Sequence, residues 1–129
     1  MKTSLVLLSA LVLMSCSGQT PTKANIEKAL RSTWDRAATN SSPRQVATIH
    51  SIKIGDNAKA NGQDLNDGIP PKASVTVAQI DFTVREYYND RTIATHRVMN
   101  AKVFRDQFKE WTVKSNGMKT IETKTEEAQ

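Results

Sequence analysis

Apolar residues follow three different rhythms along this chain. Residues 5–14 are a nearly unbroken apolar run, interrupted only by Ser9. Residues 22–38 then space Ile26, Ala29, Leu30, Trp34 and Ala37 at helical intervals. This i, i+3, i+4, i+8 pattern predicts an amphipathic helix, begun by Thr20-Pro21 or Thr22 and ended by Asn40-Ser41-Ser42-Pro43. Glu27 and Arg31 form an i, i+4 pair on its wet face, and Trp34 is read as its main core anchor.

Beyond Pro43 the rhythm becomes period two. Val and Ile total fifteen after residue 15, against two leucines, Leu30 and Leu65, an imbalance that favours strands. The first strand, residues 45–54, places Val46, Thr48, His50, Ile52 and Ile54 on one side. Residues 55–71 form a loop rich in Gly, Asn, Asp and Pro with almost nothing to bury. In the long strand 73–88, Val75 and Val77 share one parity, whereas Ala78, Ile80, Phe82 and Val84 share the other. A β-bulge or bend near residues 77–79 would reconcile the two. Asn89-Asp90 is a turn, and residues 92–104 put Ile93, Met99, Ala101 and Val103 on one face. After a turn at residues 106–109, Trp111 and Val113 lie on a final strand that Asn116-Gly117 breaks. The polar end, residues 119–129, is expected to fray.

One N-terminal helix packed on a curved four-stranded antiparallel sheet is an α+β layout. Its element order resembles the cystatin-like class. The Phe104…Trp111-Thr112-Val113 ending is also similar to small members of the nuclear transport factor two superfamily. The likeness spans about ninety residues and rests on element order. Usual members of that superfamily add two helices around a pocket, and no segment here supplies them.

The N-terminal run changes the picture most. Met1-Lys2-Thr3-Ser4 is a positively charged start, and the ten-residue apolar run makes about 15 Å of helix, half of a hydrocarbon core. Residues 1–15 therefore read as a secretory signal, not a span. Leu13-Met14-Ser15-Cys16 resembles the lipobox of bacterial lipoproteins. The resemblance implies lipid on the Cys16 thiol, cleavage before Cys16 and acylation of the new amine. Ser17, not Asp, follows, which in that family's sorting pattern implies the outer membrane, facing the periplasm. Residues 16–22 are then the lipidated cysteine and a tether reaching at most ~20 Å, residues 23–115 the single domain, and 116–129 a tail.

Cys16 is the only cysteine, so a disulfide scaffold is excluded. The net charge of +5 is spread without a Lys/Arg run, which, with export, argues against nucleic acid. No Gly-rich phosphate loop or nucleophile elbow is present, and no cofactor is implied. His50 and His96 lie on separate strands with no carboxylate at recognisable spacing, and a zinc site needs three or four ligands, so no metal site is read. Asp64-Leu65-Asn66-Asp67-Gly68 hints at a calcium loop but has Gly68 at the fifth position and Val75 at the twelfth. Asp81 would be a general base only if it faced a cavity; its parity neighbours Gln79, Thr83 and Arg85 place it on the solvent face. Arg85, Tyr87, Tyr88 and Arg91 gather two aromatics and two arginines at a hairpin end, a composition enriched in binding hot spots, although tyrosines also stabilise hairpin stems.

The expectation is a non-enzymatic, membrane-anchored binding or assembly module. It would be held to the membrane by lipid on Cys16 and contact another envelope protein, as small lipoproteins of secretion or conjugation machinery do. The alternative is an inhibitor or immunity protein against a periplasmic enzyme. A third reading is a small-ligand enzyme of the nuclear transport factor two superfamily.

Overall fold

A computed structural model describes residues 20–127. The expected signal segment, Cys16 and most of the tether lie outside the described residues. Among the described residues no helix is long and apolar enough to cross a membrane.

Helix α1 spans Lys23–Trp34 and opens with a reciprocal cap. The Thr22 hydroxyl accepts from the Asn25 N–H at 3.1 Å, while Asn25 Oδ1 accepts from the Thr22 N–H at 2.9 Å. Two backbone donors at the helix start, the Thr22 and Asn25 N–H groups, are thereby satisfied. Ile26, Ala29 and Leu30 are buried. Glu27 and Arg31 pair at 3.2 Å as expected, and Arg31 additionally donates to the Ala47 carbonyl at 2.7 Å, tying α1 to the first strand. The helix stops at Trp34, short of Ala38. Asp35 Oδ1 accepts from the Ala47 N–H at 2.8 Å, and Arg36 forms an isolated bridge with Gln45. Those strand contacts draw the chain out of helical geometry before Ala37, which is exposed.

Four strands follow: β1 Arg44–Lys59, β2 Ser74–Tyr87, β3 Arg91–Arg105 and β4 Trp111–Glu127. They form one antiparallel sheet in the order β1-β2-β3-β4. One face carries the main core, where Ile26 and Leu30 pack with Ala47, Ile52, Ile80, Phe82, Val84, Met99 and Val103. Trp34 meets the Phe82 ring edge-on at 5.5 Å, and half-buried Trp111 and Val113 close the far side.

The side expected for the first half of β1 is corrected. Ile49 pairs with Phe82 and Ser51 with Asp81, leaving His50 as the extra residue of a bulge. The bulge turns Ala47 and Ile49 toward the core with Ile52, and puts Val46, Thr48 and His50 on the opposite face, away from Ile52 and Ile54.

The expected bulge within β2 is also corrected, because β2 pairs with β3 without a break from Thr76 to Tyr87. The irregularity sits in β1, between Ile54 and Asn57, opposite Val77. A Cβ on Gly55 would come within 2.9 Å of Val77 Cγ2, so the backbone is closely approached there. The phase change along β2 has another cause, a second small core on the reverse face.

That core is Ile69, Val75 and Phe104, with Ala60 and Ala73 beside it. Residues 55–71 therefore do bury apolar surface. Gly55 to Lys59 continue β1, a short helix α2 covers Gly62–Asn66, and Ile69 is 2 % exposed. Asp64 caps α2 by accepting from the Asn61 N–H at 2.9 Å, and its buried carboxylate pairs with Lys102 Nζ on β3 at 2.5 Å. The calcium-like residues thus spend Asp64 on a cap and an ion pair.

Asn116-Gly117 does not end β4. The register shifts between Met99 and Ala101 of β3, Gly117 takes φ 124°, and pairing resumes through Arg91↔Glu127. Residues up to Glu127 are strand, where a polar tail was expected from residue 116.

Two measurements check this packing. Phe82 is fully buried, so Phe82→Ala should lower the unfolding free energy in urea by about 3–5 kcal/mol. The hydrogen bond from Lys102, and then that from the Asn61 N–H, hold the Asp64 carboxyl below its ordinary 3.8 against the opposing effect of burial. Between the folded and unfolded values the unfolded chain binds more protons, so this contribution is present above the unfolded value and disappears as pH falls through the folded one. Urea titrations of wild type and Asp64→Asn should differ by a constant amount above about pH 5 and converge under stronger acid. A difference that stays constant throughout would contradict the pairing.

Candidate functional site

The sheet face opposite α1 is polar at its centre, and three strands meet there at His50, Asp81, Thr83 and His96. The β2–β3 register makes Thr83 the direct partner of His96, and Val98 that of Asp81. Asp81 and His96 are therefore diagonal neighbours, within reach of long side chains. His96 Nε2 lies 2.5 Å from Asp81 Oδ1, with each side chain about one third exposed. On the other flank, the β1 bulge turns His50 toward β2, where its Nε2 lies 2.7 Å from the Thr83 hydroxyl. The two imidazoles stand 5.5 Å apart at 84° to each other.

The consequence is a compact donor set. One ligand atom each from His50, Asp81 and His96 lies within 4.8 Å of the other two. Two imidazole nitrogens and a carboxylate oxygen are suited to sharing protons or to holding a cation. Glu122 of β4 is the direct partner of His96 across the next strand pair, so a second carboxylate borders the group. The absence of any carboxylate near the histidines, expected from spacing, is corrected: fifteen residues separate Asp81 from His96 in the chain, and the hairpin closes that gap. Asp81 does lie on the face away from the main core, as expected.

The four hairpin residues singled out from composition do not make one continuous patch. Arg85 pairs with Glu126 at 3.5 Å. Tyr87 is covered by Arg44 of β1, with the guanidinium carbon 4.1 Å from the ring centre. Arg91 sits 5.0 Å from the Tyr88 ring centre and also contacts Asp90 at 3.1 Å. They form two arginine–tyrosine stacks and two ion pairs around one hairpin end, with Tyr88 the more exposed ring. Arg97, on the helix side of β3, lies 5.4 Å from the Trp34 ring centre, and its buried Nε has no hydrogen-bond partner among the described residues.

Comparison with protein-family models, curated proteins and solved structures finds no match to this chain.

The extra residue in β1 can be tested directly. His50→Ala should change stability by less than about 0.5 kcal/mol, because the side chain is exposed. Deleting His50 restores plain alternation while keeping Ile49↔Phe82, Ser51↔Asp81 and Ile52↔Ile80, so Ala47, Ile49 and Ile52 stay on the core face. That deletion should therefore change urea unfolding by about 1 kcal/mol or less. A loss of about 2 kcal/mol or more on deleting His50 would contradict the bulge.

Proposed function

We propose that the chain is an envelope lipoprotein, anchored through lipid on Cys16, whose domain is a non-enzymatic binding or assembly module. The observation that carries this reading is the Leu13-Met14-Ser15-Cys16 sequence placed after a short apolar run and immediately before the folded domain. The domain's first helix is capped by Thr22, so the six residues Ser17 to Thr22 link the anchor to the helix. At most ~20 Å of tether keeps the domain at a membrane surface, the outer membrane facing the periplasm, within reach of other envelope proteins. Small lipoproteins of secretion or conjugation machinery have the same kind of placement.

The finer fold assignment belongs to the same reading. One helix followed by a four-strand meander, with α1 lying against both edge strands β1 and β4, supports a cystatin-like sheet curved around its helix. Such a fold leaves one sheet face and two edges for partners. At the β2–β3 hairpin, Tyr87, Tyr88, Arg85 and Arg91 supply the residue types that dominate binding energy.

Membrane fractionation tests the anchor. The wild-type protein should sediment with membranes, and Cys16→Ser should move most of it to the soluble fraction. Retention of Cys16→Ser on membranes would overturn lipid anchoring. Crosslinking in intact membranes tests the module. It should trap a discrete envelope partner, and Tyr88→Ala should reduce the yield severalfold. An unchanged yield would remove the hairpin from the interface.

A further inference from the structure

We propose that His50, Asp81 and His96 form a binding site for a divalent transition-metal ion of the zinc type. Two imidazoles and one carboxylate are the donors such ions accept; calcium and magnesium require oxygen-only sets, and copper(I) prefers sulfur. The three ligand atoms already lie within 4.8 Å of one another. Tetrahedral zinc with bonds near 2.0–2.1 Å holds its ligand atoms about 3.3 Å apart, so small side-chain rotations close the set. The strands that carry the ligands are paired on both sides of the cluster, which fixes their backbones before the ion arrives.

Two features separate this group from chance neighbours. The β1 irregularity falls at His50 itself, and it lets that side chain lie against Thr83 and 5.5 Å from the His96 ring while Ile49 and Ile52 both stay in the core. Bulges are concentrated where a side chain must be re-aimed at a site. The Thr83 hydroxyl lies 2.7 Å from His50 Nε2, so with the ion on Nδ1 it is the orienting partner that metal-bound histidines commonly have. With three protein ligands on a solvent-facing surface, a fourth position is left for water or for a carboxylate such as Glu122. The site does not depend on the lipid anchor. Its proximity to a partner surface would let the ion join this domain to a ligand on another molecule.

The test is a titration of the full-length chain, purified in detergent, with Zn2+. Calorimetry should show one equivalent bound, and Asp81→Asn and His96→Gln should each weaken binding at least tenfold. The chain has only two histidines, which provides a readout on the unaltered protein that no folding defect can confuse. One equivalent of Zn2+ should shift the imidazole proton signals of both His50 and His96 in the NMR spectrum. Absence of binding, movement of one histidine alone, or unchanged affinity in both folded variants would overturn the proposal.

Discussion

Between Ile49 and Ser51 the pairing of β1 with β2 contains one residue more on β1 than plain alternation allows, and that residue is His50. Plain alternation would put Ile49 and Ile52 on opposite faces, and the bulge absorbs the extra residue so that both face the core. With the insertion, Ala47, Ile49 and Ile52 all meet Phe82, Val84 and Ile80, and the α1 core closes. The same insertion leaves His50 on the reverse face beside Thr83 and His96. A single departure from regular geometry thus completes the core on one side and assembles the polar cluster on the other.

The sheet carries apolar packing on both faces but at different ends. The α1 side is large and holds Ile26, Leu30 and Phe82. On the reverse side, Ile69 folds back over Val75 and Phe104, and Asp64 locks that fold to β3 through Lys102. The connection after β1 therefore behaves as a clamp at one end of the sheet. It leaves the centre of that face, with Asp81 and His96, open to solvent.

The parts legible in the sequence are those where apolar spacing is uninterrupted. Ile26, Ala29 and Leu30 mark α1, and Met99, Ala101 and Val103 mark the buried face of β3. The far half of β4 was not legible, because its Lys, Thr and Glu residues bury nothing and backbone pairing with β3 alone defines it. The first half of β1 was ambiguous because both parities carry apolar residues, Val46 on one and Ala47 and Ile49 on the other. The His–Asp cluster depends on register across three strands, which residue spacing does not encode. One signal was available: counting outward from the Asn89-Asp90 turn pairs Thr83 with His96 and sets Asp81 on the diagonal. His50 could not be found that way, since its position rests on the bulge.

On the proposed reading, the domain is held at a membrane surface and meets partners through its open face and hairpin end. The geometry of that face rests on where His50 points. The most direct measurement is the nuclear Overhauser contact pattern of its imidazole protons. Cross-peaks to His96 and Thr83 are expected, given rings 5.5 Å apart and a 2.7 Å contact to the Thr83 hydroxyl. Cross-peaks from His50 to Phe82 or Leu30 instead would place it in the core and contradict the register on which both faces depend.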